Sequence, residues 1–268
     1  MEYSKLERII LDQQEELEAL RTRSYCHRKE EQLIDLNSNL AQVIIGVRRS
    51  GKSTLCINAL EHGKVHYAYV NFDDERLLSI TIDDMDAILE TLYKVYGDFS
   101  YLLLDEIQNV DGWHLFVNRM LRKQLHIVLT GSNSKLLSGE LASHLTGRHH
   151  QIELLPFSFA DFCAFRGVAT SPLTTKNRGL IAAAFDEYMR QGGFPELNNE
   201  KDWKSYIDSL LNSIVRQDIQ KRFKIKYVDT FMHLTNHLLN EAPATIVKET
   251  IQELFHLSLI HISEPTRL

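Results

Sequence analysis

The chain has 268 residues, 44% of them apolar and 25% charged, which is enough to bury a sizeable core and excludes a disordered tail or a fibrous repeat. Thirty Lys and Arg against 36 Asp and Glu leave a net charge of -6, a balance that points to no strongly basic or acidic partner. No apolar run approaches the roughly 18 residues that span a bilayer, the N-terminus does not read as a signal peptide, and Cys26, Cys56 and Cys163 are too scattered for a disulfide framework, so a cytoplasmic protein without membrane attachment is expected.

From Ser4 to about Arg23, Leu6, Ile9, Ile10, Leu17 and Leu20 recur among charges and predict an amphipathic helix, free to dock on the domain or on a partner. Ala41 to Ile45 predicts a short buried strand, and Ser53 to Glu61 a helix closed by Gly63 as its C-terminal cap. Val65 to Phe72 is the second expected strand. Met85, Ile88, Leu89, Leu92, Val95 and Tyr96 have helical spacing and stop at Gly97. Tyr101 to Leu104 is a third, wholly apolar strand, followed by a helix whose buried face carries Trp113, Phe116, Val117, Met120 and Leu121. His126 to Leu129 and Gln151 to Leu155 complete five strands. Beyond Pro156 the pattern is mainly helical, over Ser158 to Phe165, Lys176 to Arg190 and Lys201 to Phe223. Alternating strands and helices predict an α/β fold with a parallel sheet and crossover helices, then a helical lid.

The first strand runs into Gly46-Val47-Arg48-Arg49-Ser50-Gly51-Lys52-Ser53, the pattern G-x-x-x-x-G-K-[ST], and a helix follows. Gly46 and Gly51 are expected to allow the backbone angles that turn successive N–H groups inward, and the helix N-terminus adds partial positive charge, so the loop suits phosphate oxygens. Lys52 is expected to reach the β and γ phosphates of ATP and the Ser53 hydroxyl to coordinate Mg2+. Thr54 closes the loop. Arg48 and Arg49 add local charge, directed to phosphate, to solvent or to a neighbouring subunit.

The third strand ends in Asp105-Glu106. Beside a phosphate loop, Asp105 is expected to hold Mg2+ through a water and Glu106 to orient and deprotonate the attacking water. An acid at the second position favours a hydrolase over a kinase.

At this point the chain resembles the prokaryotic AAA-type P-loop ATPases that carry a C-terminal domain of unknown function. The resemblance rests on residues 46–54, Asn71 to Leu77, Leu104 to Gln108, Leu129 to Ser132, Leu145 to Arg148, Leu155 to Phe159 and Gly192 to Glu196, seven blocks over roughly residues 28 to 225. It implies ATP hydrolysis with Mg2+, a P-loop sheet in which the acidic strand is inserted between the phosphate-loop strand and its sequence neighbour, and a longer protein than this chain. The expected organisation is an N-terminal helical segment (1–27), a P-loop ATPase core (28–156), a helical lid (157–227) and the start of a helix-turn-helix or winged-helix-like region (228–256). Residues 257–268 resemble one reading frame of a sequencing adaptor and are set aside as non-native.

Further candidates follow the fourth strand. Ser132 or Asn133 is placed where such ATPases sense the γ phosphate, against ordinary turn chemistry. Arg148 could stabilise transition-state charge in its own or a neighbouring site, or form a structural ion pair. Asp73, Asp74 and Glu75 close the second strand and either line the site or, the favoured reading, form an exposed acidic turn, and Gly192, Gly193 and Pro195 read as a turn between lid helices. His149-His150 lacks a third ligand at metal spacing. Lys221, Arg222, Lys224 and Lys226 sit at a helix C-terminus, where the dipole favours cations without nucleic acid. The expected function is Mg2+-dependent ATP binding and hydrolysis coupled to a C-terminal domain or partner. A low-turnover nucleotide switch and a DNA-acting motor are the alternatives, with self-association and a protein or DNA partner left open.

Overall fold

A computed structural model describes residues 3–22, 25–132, 145, 147–199, 202–220 and 225–241. The chain forms two compact units, Met1–Tyr206 and Ile207–Leu268.

The first unit is built on five parallel strands: β1 (Ala41–Gly46), β2 (Tyr67–Asn71), β3 (Tyr101–Asp105), β4 (His126–Ser132) and β5 (His149–Glu153), in the order β2-β3-β4-β1-β5. Central strands of a parallel sheet are covered on both faces and need apolar residues on both. Every residue of β1 is buried, as are Leu102 to Asp105 of β3. The acidic strand β3 does lie between β1 and β2, but it shares that interval with β4, which is the direct neighbour of β1.

Helices α2 (Lys52–His62), α3 (Met85–Tyr96) and α4 (Trp113–Arg122) cover the sheet. On one face Val43, Ile45, Val70, Leu102, Leu104 and Leu129 pack with Ile88 and Leu92 of α3 and Phe116 and Met120 of α4. On the other, Ile44, Tyr69, Leu103, Val128 and Ile152 pack with Leu55, Cys56 and Leu60 of α2. The strict two-residue alternation assigns each strand residue to one layer. Helix α1 (Tyr3–Arg21) docks on this unit: Leu6, Ile9 and Ile10 enter the first layer and Leu17 the second.

Gly97 ends α3 at positive φ (76°), and Gly63 caps α2 as expected, its N–H bonded to the Ala59 carbonyl, at an ordinary helical φ of -67°. A Cβ at Gly63 would lie 2.4 Å from Leu36 Cδ1, so the end of that side chain would have to shift to admit one. The fifth strand begins two residues earlier than the apolar pattern predicts, at His149, and only Ile152 of its five residues is buried. As an edge strand it needs an apolar side chain only where it meets the core.

After β5 come α5 (Phe159–Phe165), α6 (Thr175–Gln191) and α7 (Trp203–Ser213). Ser158 caps α5 in a reciprocal box with Asp161, and Phe162, Cys163 and Ala184 form a small core with Phe159 and Tyr188. In the second unit α7 runs on into a π-helical stretch, Ile214–Gln220, and α8 spans Val228–Glu241. The expected helix-turn-helix or winged-helix-like region beyond Glu241, the basic residues Lys221, Arg222 and Lys224, and the tail 257–268 lie outside the described residues. Among the described residues no helix is long and apolar enough to cross a membrane.

Candidate active site

The loop between β1 and α2 turns at Gly51, whose φ of 95° admits only glycine without strain, and at Arg49, a left-handed non-glycine residue with φ 63°. Gly46 needs to be glycine for another reason than the one expected. It is the last residue of β1, without positive φ, and a Cβ on it would lie 2.3 Å from the carbonyl oxygen of Leu154. The first glycine of the loop therefore lets the neighbouring chain approach, while the second supplies the turn.

Lys52 opens α2 and is 5% exposed. Its ammonium donates to the carbonyls of Gly46 (3.3 Å) and Val47 (3.2 Å) and lies 3.6 Å from Glu106 Oε1. The Ser53 hydroxyl donates to Asp105 Oδ1 at 3.0 Å. The structure thus brings together the two ends of the motif pair that the sequence separates by some fifty residues: Lys52 with Glu106, and Ser53 with Asp105.

Asp105 is buried at the end of β3 and accepts two further hydrogen bonds, from Thr130 Oγ1 and from the Tyr69 hydroxyl at 3.3 Å. Burial raises its pKa above the usual carboxylate range and nearby Glu106 adds to this, while the hydroxyls of Thr130 and Ser53 and the Lys52 charge oppose it. The same burial, with the Asp105 charge, pushes the Tyr69 hydroxyl well above its ordinary value, so it remains a donor.

Glu106 adopts a left-handed conformation (φ 52°, ψ 38°), which costs a non-glycine residue about 1–3 kcal/mol and persists where neighbours enforce it. Its N–H donates to Thr130 Oγ1 at 3.0 Å, and its carboxylate meets Lys52 on one oxygen and the Gln108 amide on the other. Thr130 therefore links the two acids, donating to one side chain and accepting from the other's backbone. Neither Thr130 nor Tyr69 carries a sequence signal for this role, since both are ordinary strand residues; only the register places them beside β3.

The remaining candidates are dispersed. Arg48 lies 3.7 Å from Asp73. Arg49 reaches Glu196 Oε2 (3.1 Å) and lies over the Tyr206 ring, 5.1 Å from its centre. Tyr206 donates to the same Glu196 oxygen at 2.6 Å, and burial, with that acceptor, raises its pKa to about 12. Ser132 pairs in register with Gly46, which puts the end of β4 beside the loop; Asn133 lies outside the described residues.

Arg148 lies directly before β5, where the sequence places it, but away from its own phosphate loop. Its carbonyl accepts from the Ala41 N–H, at the end of β1 opposite Gly46, and five strand steps separate these points by about 17 Å. An arginine side chain does not bridge that length, so Arg148 cannot act in its own site. The turn at 73–75 is also not uniformly exposed. Asp74 accepts from Arg76 and Gln13 and is held near a pKa of about 2, chiefly by the Arg76 guanidinium.

Behind the loop is a cavity of about 210 Å³, lined on its apolar side by Leu20, Leu55, Ile57, Phe157 and Pro195, with Tyr25, Arg28, Ser50, Gly51, Thr54 and Asn58 among its other walls. Three buried polar atoms of lining residues, Ser50 Oγ, Asn58 Nδ2 and Arg28 Nε, have no hydrogen-bond partner, though Arg28 Nε lies 3.6 Å from Glu30 and from Asp161. Such atoms fit a polar ligand that the protein alone does not supply.

Residues 38–163 match the family described as AAA domain. An uncharacterised protein of Methanocaldococcus jannaschii is 34% identical over 212 residues, 77% of this chain and 48% of that protein. One of Haemophilus influenzae is 32% identical over 207 residues, 73% of this chain and 50% of the other. The chain spans about half the length of these curated relatives. A solved Walker-type ATPase of Pyrococcus abyssi aligns with a TM-score of 0.46 at 17% identity, covering 87% of this chain and 88% of its own. The segment that matches the AAA domain family, residues 38–163, holds the phosphate loop ahead of a buried acidic strand in a five-stranded parallel sheet.

Proposed function

We propose that the protein binds ATP with Mg2+ at this loop and hydrolyses it to ADP and phosphate. One observation carries the reading: a buried Lys52 ammonium within a loop of turned backbone, 3.6 Å from Glu106, next to a Ser53 hydroxyl held 3.0 Å from a buried Asp105. The backbone of residues 46–54 and Lys52 would hold the phosphates. Ser53 and Asp105 are hard oxygen donors of the kind Mg2+ takes and would hold it; when bound, it neutralises charge on the β and γ oxygens. Glu106 would accept a proton from water as the water oxygen bonds to the γ phosphorus and the bond to the ADP oxygen breaks. The apolar cavity, with its unpartnered Asn58 amide, would take the base. Arg49, tied to Glu196 and Tyr206, offers a route by which nucleotide state reaches the helical region and, through it, a C-terminal domain or partner.

A low-turnover switch is the second reading, favoured by Glu106 being engaged by Lys52 and Gln108 and so not free to act as a base. Nucleotide binding and phosphate release, measured on the same variants, decide between them. Lys52→Ala is expected to weaken ATP binding at least about tenfold, about 1.4 kcal/mol. Glu106→Gln is expected to bind ATP as the wild type does while turnover falls on the order of 100-fold. Tight binding with near-zero wild-type turnover supports the switch, strong stimulation by DNA supports a motor, and equal affinity in wild type and Lys52→Ala rejects the site.

A further inference from the structure

Away from the phosphate loop, three metal-ligating side chains converge. His27 and Glu31 belong to the segment that leads into β1, and His62 is the last residue of α2. Glu31 Oε2 lies 3.5 Å from His27 Nδ1 and 3.5 Å from His62 Nδ1, and one ligand atom from each residue lies within 4.8 Å of the others. The two imidazoles stack with ring centres 5.1 Å apart. A tetrahedral ion bound at 2.0–2.2 Å by nitrogen and oxygen holds its ligand atoms about 3.4 Å apart. Two edges of such a tetrahedron are therefore close to length already.

The surroundings orient these groups. The Arg28 N–H donates to Glu31 Oε1 at 3.1 Å, which fixes the carboxylate and leaves Oε2 facing the histidines. The Tyr25 hydroxyl lies 2.6 Å from His62 Nε2. With Nε2–H donating to that hydroxyl, His62 Nδ1 presents its lone pair to Glu31, the arrangement that an outer partner imposes on a metal-binding histidine. The carboxylate side chain is 11% exposed, whereas the imidazoles are 71% and 52% exposed. A buried, fixed acid is thus paired with two solvent-facing imidazoles, one of them oriented by Tyr25.

We propose that His27, Glu31 and His62 form a binding site for a divalent transition metal of the zinc class, with water completing the coordination. Two imidazoles and a carboxylate suit Zn2+ and its neighbours, whereas Mg2+ and Ca2+ take oxygen sets. The bound ion would tie the segment before β1 to the far end of the helix that begins at the phosphate loop. Tyr25 and Glu31 also line the cavity behind that loop, so the ion would stiffen one of its walls. The site stands without the ATPase reading, because its ligands and its test involve no nucleotide.

The test is calorimetric titration of the chelator-treated full chain with ZnCl2 in the absence of nucleotide, and Co2+ absorption as a second readout. One saturable site and a visible band of tetrahedral Co2+ are expected. In His27→Ala/His62→Ala, affinity should fall at least about tenfold and the band should disappear. His27→Gln alone, at the more exposed position, should weaken binding with the fold intact by circular dichroism. The chain has 12 histidines, so zinc bound with unchanged affinity and stoichiometry by the double variant would place it elsewhere and overturn the proposal. Absence of saturable binding below about 100 µM would overturn it equally.

Discussion

Asp105 carries its carboxylate where water scarcely reaches, 3% exposed, with Ser53, Thr130 and Tyr69 as hydroxyl donors. Hydroxyls can accept as well as donate, so an amide in the same place keeps its partners and sheds the buried charge. Asp105→Asn is therefore expected to stabilise the nucleotide-free protein at neutral pH by about 1 kcal/mol, while abolishing Mg2+-dependent turnover. Chemical denaturation at pH 7 measures the first effect; a variant no more stable than the wild type would mean that Lys52 and the hydroxyls already compensate the charge. Lys52 and Ser53 could be named from the sequence because strand, glycine loop and helix follow one another locally, and Asp105 and Glu106 because they close a wholly apolar strand. Thr130 could not, because its role depends on β4 lying beside β3.

Helix α1 shows how an element is held by one polar residue among apolar ones. Gln13, 1% exposed, accepts from the Asn71 N–H (2.9 Å) and donates to the Asn71 carbonyl (3.0 Å) and Asp74 (3.0 Å), closing the end of β2. Arg76 bridges the same Asp74 to Asp12 of the helix. Removing the amide leaves part-buried backbone groups unpaired, so Gln13→Ala is expected to cost about 2 kcal/mol. Urea denaturation checks it, and a loss near zero would show that water replaces the amide. The amphipathic period of α1 was readable, but whether it docks on the sheet or on a partner was not. A glutamine within an apolar stripe gains its meaning only from the strand end opposite it.

Across the whole molecule two aspartates pull stability in opposite directions with pH. The raised pKa of Asp105 means that the folded state binds its proton more tightly than the unfolded chain, so stability grows as pH falls through that raised value. Asp74, held at about 2, contributes stability that is full above the ordinary carboxylate pKa of about 4 and is lost as pH falls toward 2. Asp86, lowered by Arg119, loses its contribution in the same direction. The stability of the nucleotide-free wild type relative to Asp105→Asn is thus expected to grow as pH falls through the raised value of Asp105, while both proteins lose stability below about pH 4. Melting temperatures of the two proteins across the acidic range check this, and a difference that does not change with pH would contradict the assignment for Asp105.

By itself the sequence determined the five strands, the phosphate loop and the order of its chemical groups, because hydrophobic period and turn residues act within a few positions of one another. Tertiary structure decided what depends on distant chain segments. It gave Gly46 its reason, the approach of Leu154, and placed Arg148 at the far end of β1 from the loop. It set β5 two residues earlier, since an edge strand escapes the apolar pattern of a central one. It also brought His62 to His27 and Glu31, which no spacing in the sequence marks, because the end of α2 meets the segment before β1 only once both have packed on the sheet.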